Sequence, residues 1–109
     1  MDKNELINRL SQLPDLIKYA EENVIKAAEA VQAAKDGLLL AEDTLVIGGS
    51  IDGKNSEIRA AQLRTQTLPQ RDNMQRAESF LNREKAALNH LINEMKSIGH
   101  IATMLKGGE

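Results

Sequence analysis

From Ile17 to Gly48 the chain carries a seven-residue repeat that holds for more than four heptads, and few folds can use such a pattern. The large positions are Ile17, Val24, Val31, Leu38 and Leu45; three residues after each stand Ala20, Ala27, Ala34, Ala41 and Gly48. One bulky and one very small residue therefore alternate along a single helical seam. The small members let a neighbouring helix approach toward the lower end of the usual ~8–10 Å separation. Glu22, Glu29, Asp36 and Asp43 recur with the same period on the far side, as a solvated row should. The pattern predicts a long helix over 14–47, with Pro14 in its first turn, where the missing N–H is harmless.

A second repeat follows from Pro69. Met74, Leu81, Leu88, Met95 and Ala102 form one set, and Ala77, Glu84, Leu91, Ile98 and Leu105 the other, with Glu84 the only break. This predicts a second long helix over 69–106. At ~1.5 Å per residue the two helices span roughly 50 and 55 Å, a matched pair. Between them, Gly48-Gly49 should stop the first helix, Ile51-Asp52-Gly53 should turn, and Asn55 or Ser56 should cap a short helix to about Gln66, with Ile58, Ala61 and Thr65 facing inward. Thr67-Leu68-Pro69 then restarts the chain, and Gly107-Gly108 close it. Before Pro14, the capping-box spacing of Asp2 and Glu5 and the apolar set Leu6, Ile7, Leu10 and Leu13 predict a separate short helix over 3–12. The expected fold is all-α: a single helical domain over 1–109, built as an antiparallel long-helix hairpin with an Ala-rich, coiled-coil-like seam and short N-terminal and connecting helices.

Composition removes several function classes. The 109 residues include no Cys, which rules out disulfides, thiolate nucleophiles and Cys-based zinc sites. The longest apolar runs are far too short to cross a bilayer, and the first residues do not read as a secretory signal, so a cytoplasmic location is expected. Residues 1–53 carry 5 basic and 10 acidic side chains, whereas 54–109 carry 9 and 6. Such halves attract each other within a chain or between chains.

Ile25, Leu39, Leu40, Val46 and Ile47 fall off the main seam, and four of them cluster at the end of the first long helix. A narrow two-helix seam cannot cover them all. The short connecting helix is expected to cover part, and a second copy of the chain the remainder. A homo-oligomer follows, with a dimer the first choice.

Three constellations bear on chemistry. Gly48-Gly49-Ser50-Ile51-Asp52-Gly53-Lys54 fits most of a phosphate-binding loop, with Thr44–Ile47 as the strand it would need. Asn55 stands where the magnesium hydroxyl belongs, and Asp52 would face phosphate oxygens, so the segment reads as a helix stop and a turn. His90 and Glu94 have metal-ligand spacing but no further ligand, and no Glu-x-x-His pair exists. No catalytic constellation, metal site or cofactor site is read, and the chain is expected to be non-enzymatic. The third group is Lys54, Arg59, Arg64, Arg71, Arg76 and Arg83, spread over the connection and the start of the second long helix. Arginine suits bidentate contact with phosphate or carboxylate. No aromatic residue lies among them before Phe80, which the seam predicts to be partly buried, so base stacking has no platform.

The segment Asp52-Gly53-Lys54-Asn55-Ser56-Glu57-Ile58-Arg59-Ala60-Ala61-Gln62-Leu63 contains a G-K-N-x-E-x-R-x-x-x-L pattern. In this it resembles small helical proteins of bacteriophages and prophages, whose layout of long helix, loop, short helix and long helix is similar over roughly residues 14–106. The resemblance implies a phage or mobile-element origin near DNA-metabolism functions, and implies no catalytic residues. Physically, Gly53 reads as a turn, Asn55 as a cap, Glu57 as a first-turn acid, and Arg59 as a tie across the junction.

The expected function is that of an oligomeric helical protein acting by macromolecular interaction at the connecting tip, Ile51 to Arg71. Lys54, Arg59, Arg64 and Arg71 are the candidate contacts, and an unidentified protein is the expected partner beside the second copy. One alternative is a nucleic-acid accessory protein in phage recombination or replication. The other is an oligomer holding a phosphate-containing small ligand between subunits. Membrane association is not expected, because the polar faces mix both charges.

Overall fold

The computed structural model describes residues 2–107. Among these the chain forms three helices and no strand: α1 over Lys3–Ile47, α2 over Ser56–Gln66 and α3 over Leu68–Gly107. Among the described residues no helix is long and apolar enough to cross a membrane. Gly108, the second half of the expected closing stop, lies outside the described residues.

The capping box forms as its spacing predicts. Glu5 N–H donates to Asp2 Oδ1 at 2.8 Å, and Asp2 N–H reaches Glu5 Oε2 at 3.4 Å. The break expected at Pro14 is absent: one helix replaces the separate 3–12 and 14–47 helices. An interior proline removes an N–H that Leu10 O would otherwise accept from, and costs about 3 kcal/mol. The seam overrides that local penalty. Leu6, Leu13, Ala20, Ala27 and Ala34 are all buried and all seven residues apart, so the apolar face before Pro14 continues in register with the face after it. Leu13, next to the proline, is fully buried.

The chain divides into two compact units. One joins the chain up to Lys26 with the chain from Asn82 onward. Its core is Leu6, Leu13 and Ile98, with Leu10, Leu91 and Ala102 packed against it. Gly99 is half-buried without interrupting α3, whereas Leu105, expected in the seam, stays 54% exposed.

The other unit is Ala27–Leu81. Ala27, Val31 and Ala34 are buried here, and Leu38, Ala41, Leu45, Met74, Ala77 and Leu81 are half-buried, following both repeats. Gly48 and Gly49 end α1 in a Schellman arrangement: Ser50 N–H donates to Leu45 O at 3.0 Å and Gly49 N–H to Val46 O at 3.2 Å, with Gly49 at φ +76°. That left-handed turn is why glycine stands there. Thr67 is the C-cap of α2 and is fully buried; its hydroxyl donates to Leu63 O at 2.6 Å and accepts from Arg71 Nε at 3.0 Å. Phe80 is covered less than the seam predicts, at 48% exposed.

Opposite effects are expected from two adjacent substitutions. Leu13→Ala should cost about 2–4 kcal/mol in urea unfolding followed by helical circular dichroism. Pro14→Ala should gain up to about 3 kcal/mol, since Pro14 is exposed and interrupts the helix's hydrogen-bond ladder.

Candidate functional site

The connection between α1 and α3 is held by its own side chains. Asn55, extended at φ −140° and ψ 172°, accepts from Ile58 N–H at 2.9 Å and starts α2. Gln62, about two turns later, reaches back with both ends of its amide. Its nitrogen donates to Asp52 Oδ1 at 2.9 Å, and its oxygen accepts from Gly53 N–H at 2.9 Å. Arg59 Nη1 donates to Gly53 O at 3.1 Å. Gly53 is thus clasped on both its backbone groups, and a Cβ there would come within 2.5 Å of Ile58 Cγ2. Glycine is required by this close approach.

The inward set expected of α2 is wrong. Ile58, Ala61 and Thr65 are exposed, Gln62 and Leu63 are the half-covered positions, and no residue of α2 is buried. Apolar periodicity gave no hint that an amide would orient the helix. Of the four basic candidates, Arg59 ties the loop and Arg71 ties the unit, its Nη2 meeting Glu42 Oε1 at 3.3 Å while Nε holds Thr67. Lys54 and Arg64 are exposed. Arg76 is exposed beside Asp72, one turn away at 3.6 Å. The four therefore do not converge on one ligand point: two brace the connection and two face outward from it.

Thr44–Ile47, which a phosphate-binding loop would need as a strand, are the last turn of α1. Glu94, which has metal-ligand spacing to His90, is engaged by Arg9 through two hydrogen bonds, Nε to Oε1 at 2.6 Å and Nη2 to Oε2 at 2.9 Å. This ion pair joins residues 85 apart in sequence and had no local signature. Its one trace is position: each residue flanks the seam, where charges choose opposite partners. Hydrogen bonds from Arg9 hold the Glu94 carboxyl below its ordinary range against desolvation, with the charges of Arg9 and His90 adding to the effect.

Among the open grooves along the described helices, two are lined by apolar residues of α1. In the first unit, about 560 Å³ is lined by Leu6, Ile7, Leu10, Ala102 and Leu105, with Lys3 and Lys106 alongside. In the second, about 430 Å³ is lined by Gly37, Leu40, Ala41, Thr44 and Leu45 of α1 and by Gln66 and Gln70. Gln70 Oε1 is buried there with no hydrogen-bond donor among the described residues. Large apolar side chains stand free beside this second groove: Leu40 is 68% exposed and Ile47 85%, with Leu39 and Val46 also exposed. Ile25, in the first unit, is exposed as well. The short helix does not bury the surplus apolar surface at the end of α1. No protein-family model, curated protein or solved structure matches the chain.

Gly53→Ala should destabilise by about 1–3 kcal/mol in urea unfolding, because Ile58 or the loop must move. The Glu94 contact gives a pH signature. A folded-state value lowered below the unfolded one adds stability above the ordinary carboxylate value, about 4.3, and loses it as pH falls through the lowered value. The melting-temperature difference between the natural chain and Glu94→Gln at neutral pH should therefore close on acidification. A full difference persisting at about pH 2 would contradict the pairing.

Proposed function

We propose that the chain is a non-enzymatic, oligomeric helical protein, of phage or mobile-element origin, that acts by contact with other macromolecules. The observation that carries this reading is the group of large apolar side chains left exposed at the end of α1, above all Leu40 and Ile47. Apolar residues gathered at one end of a helix mark an association surface more often than an accident of composition. α1 and α3 form an antiparallel hairpin in this reading. Support comes from Glu42, just before the end of α1, meeting Arg71, just after the start of α3, which brings the end of one helix beside the start of the other. The 52–63 segment, with its likeness to phage and prophage helical proteins, supports the origin.

The connecting tip is the contact region for a protein partner. Lys54 and Arg64 supply the outward charges; Arg59 and Arg71 position the tip through Gly53, Thr67 and Glu42. With two of four basic side chains occupied internally, a phosphate-tracking surface is weakened relative to a protein-docking one.

Light scattering at micromolar concentration should give at least twice the chain mass; a monomer would remove the oligomeric part of the reading. An affinity capture with and without nuclease tests the rest. A nuclease-resistant partner, lost on Lys54→Glu with Arg64→Glu, is the expected result, and a partner lost to nuclease would turn the assignment toward nucleic acid.

A further inference from the structure

The unit Ala27–Leu81 carries a second heptad on α1, separate from its buried seam. Ala30, Ala33, Gly37, Leu40, Thr44 and Ile47 recur at alternating three- and four-residue steps, and every one is exposed. Such spacing is that of a helix seam. Gly37 is its most telling member. A Cβ placed there would meet nothing within 4 Å, so the chain's own packing does not require glycine. A glycine inside a helix is nonetheless unfavourable relative to alanine, and a close-packed neighbouring helix is a physical reason for having one. Thr44 fits the same face, because its hydroxyl is spent on Leu40 O at 2.7 Å and its methyl is left for contact. The open groove along this stripe is a further sign of a surface that awaits an occupant.

Charge selects the occupant. Glu29, Asp36 and Asp43 run along the stripe, all exposed. On α3 the row from Gln70 continues at helical spacing through Asn73 and Ala77 to Phe80, with Arg76 on its outer side; Arg76 and Phe80 are exposed. One face thus offers acid at one edge, Arg76 beside Asp72 at the other, and small and large apolar residues between.

We propose that this face seats a second copy of the same chain, with α1 of each copy lying over α3 of the other about a two-fold axis along the helices. The inference rests on the oligomeric, antiparallel reading above. The Glu42–Arg71 contact fixes the level: five residues back on α1 is Gly37, and five forward on α3 is Arg76. In the two-fold pair, Asp36 of one copy therefore meets Arg76 of the other, and the large Phe80 ring comes over the small Ala33. An axis across the helices would instead lay acid on acid and arginine on arginine, which like-charge repulsion opposes.

The test uses the full chain and starts from its mass in sedimentation equilibrium. A Cβ at Gly37 meets nothing within 4 Å, so Gly37→Leu should keep the chain's helicity by circular dichroism while raising the dimer dissociation constant at least ~10-fold. Asp36→Arg and Arg76→Glu should each weaken self-association to a similar degree, and an equimolar mixture of the two should regain mixed dimers. A dimeric natural chain whose Gly37→Leu variant stays equally dimeric would overturn this face and leave the oligomeric reading intact. Charge variants that fail to rescue each other would overturn the two-fold arrangement. A monomeric natural chain would sink both readings. Should that monomer bind a different protein or a nucleic acid and lose it on Gly37→Leu, the face would belong to that partner.

Discussion

Everything in this chain depends on one register: small residues every seventh position along α1, from Ala20 through Ala41, with larger aliphatics set between them. An alanine buries little apolar area, so such a seam gains through close approach and the many dispersion contacts that follow from it. Close approach is intolerant of misplacement. A shift of one residue would bring Glu21 and Lys35 where Ala20 and Ala34 now sit, and polar side chains would enter the contact. The seam is also strong enough in sum to override a local rule, since the helix runs through Pro14 to keep Leu6 and Leu13 aligned with it.

The helices were legible in the sequence because their causes are periodic or local. Two heptad repeats marked α1 and α3, paired glycines marked the end of α1, and Asn55 marked the start of α2. Pro14 was misread because a proline is judged by its neighbours, whereas the buried side chains that hold it in a helix belong to a seam spanning the whole of α1. Ile58, Ala61 and Thr65 were misread for the opposite reason: apolarity suggested an inward face, but Gln62 orients α2 by bonding Asp52 and Gly53. Arg9–Glu94 and Arg71–Glu42 lay beyond reach, since nothing local tells which of several flanking charges will meet. Of the basic residues, the sequence placed all four in or beside the connection, and only the packing separates Arg59 and Arg71, bonded within it, from Lys54 and Arg64, which are exposed.

The connection behaves as a small structural module. Its cap, its amide clasp and its arginine tie all act within about a dozen residues, so it can form early and independently of distant contacts. By contrast, Arg9 and Glu94 close a contact across most of the chain, and chain entropy makes such contacts late.

Pro14 has a consequence for motion. A helix without a donor at one position has its hydrogen-bond ladder cut there, so the turns before and after are less tightly coupled than in an unbroken helix. The residues ahead of Pro14 are retained by side-chain packing at Leu6, Leu10 and Leu13 more than by helix propagation. Release of the stretch from Lys3 to Leu13 therefore need not melt the helix beyond Pro14.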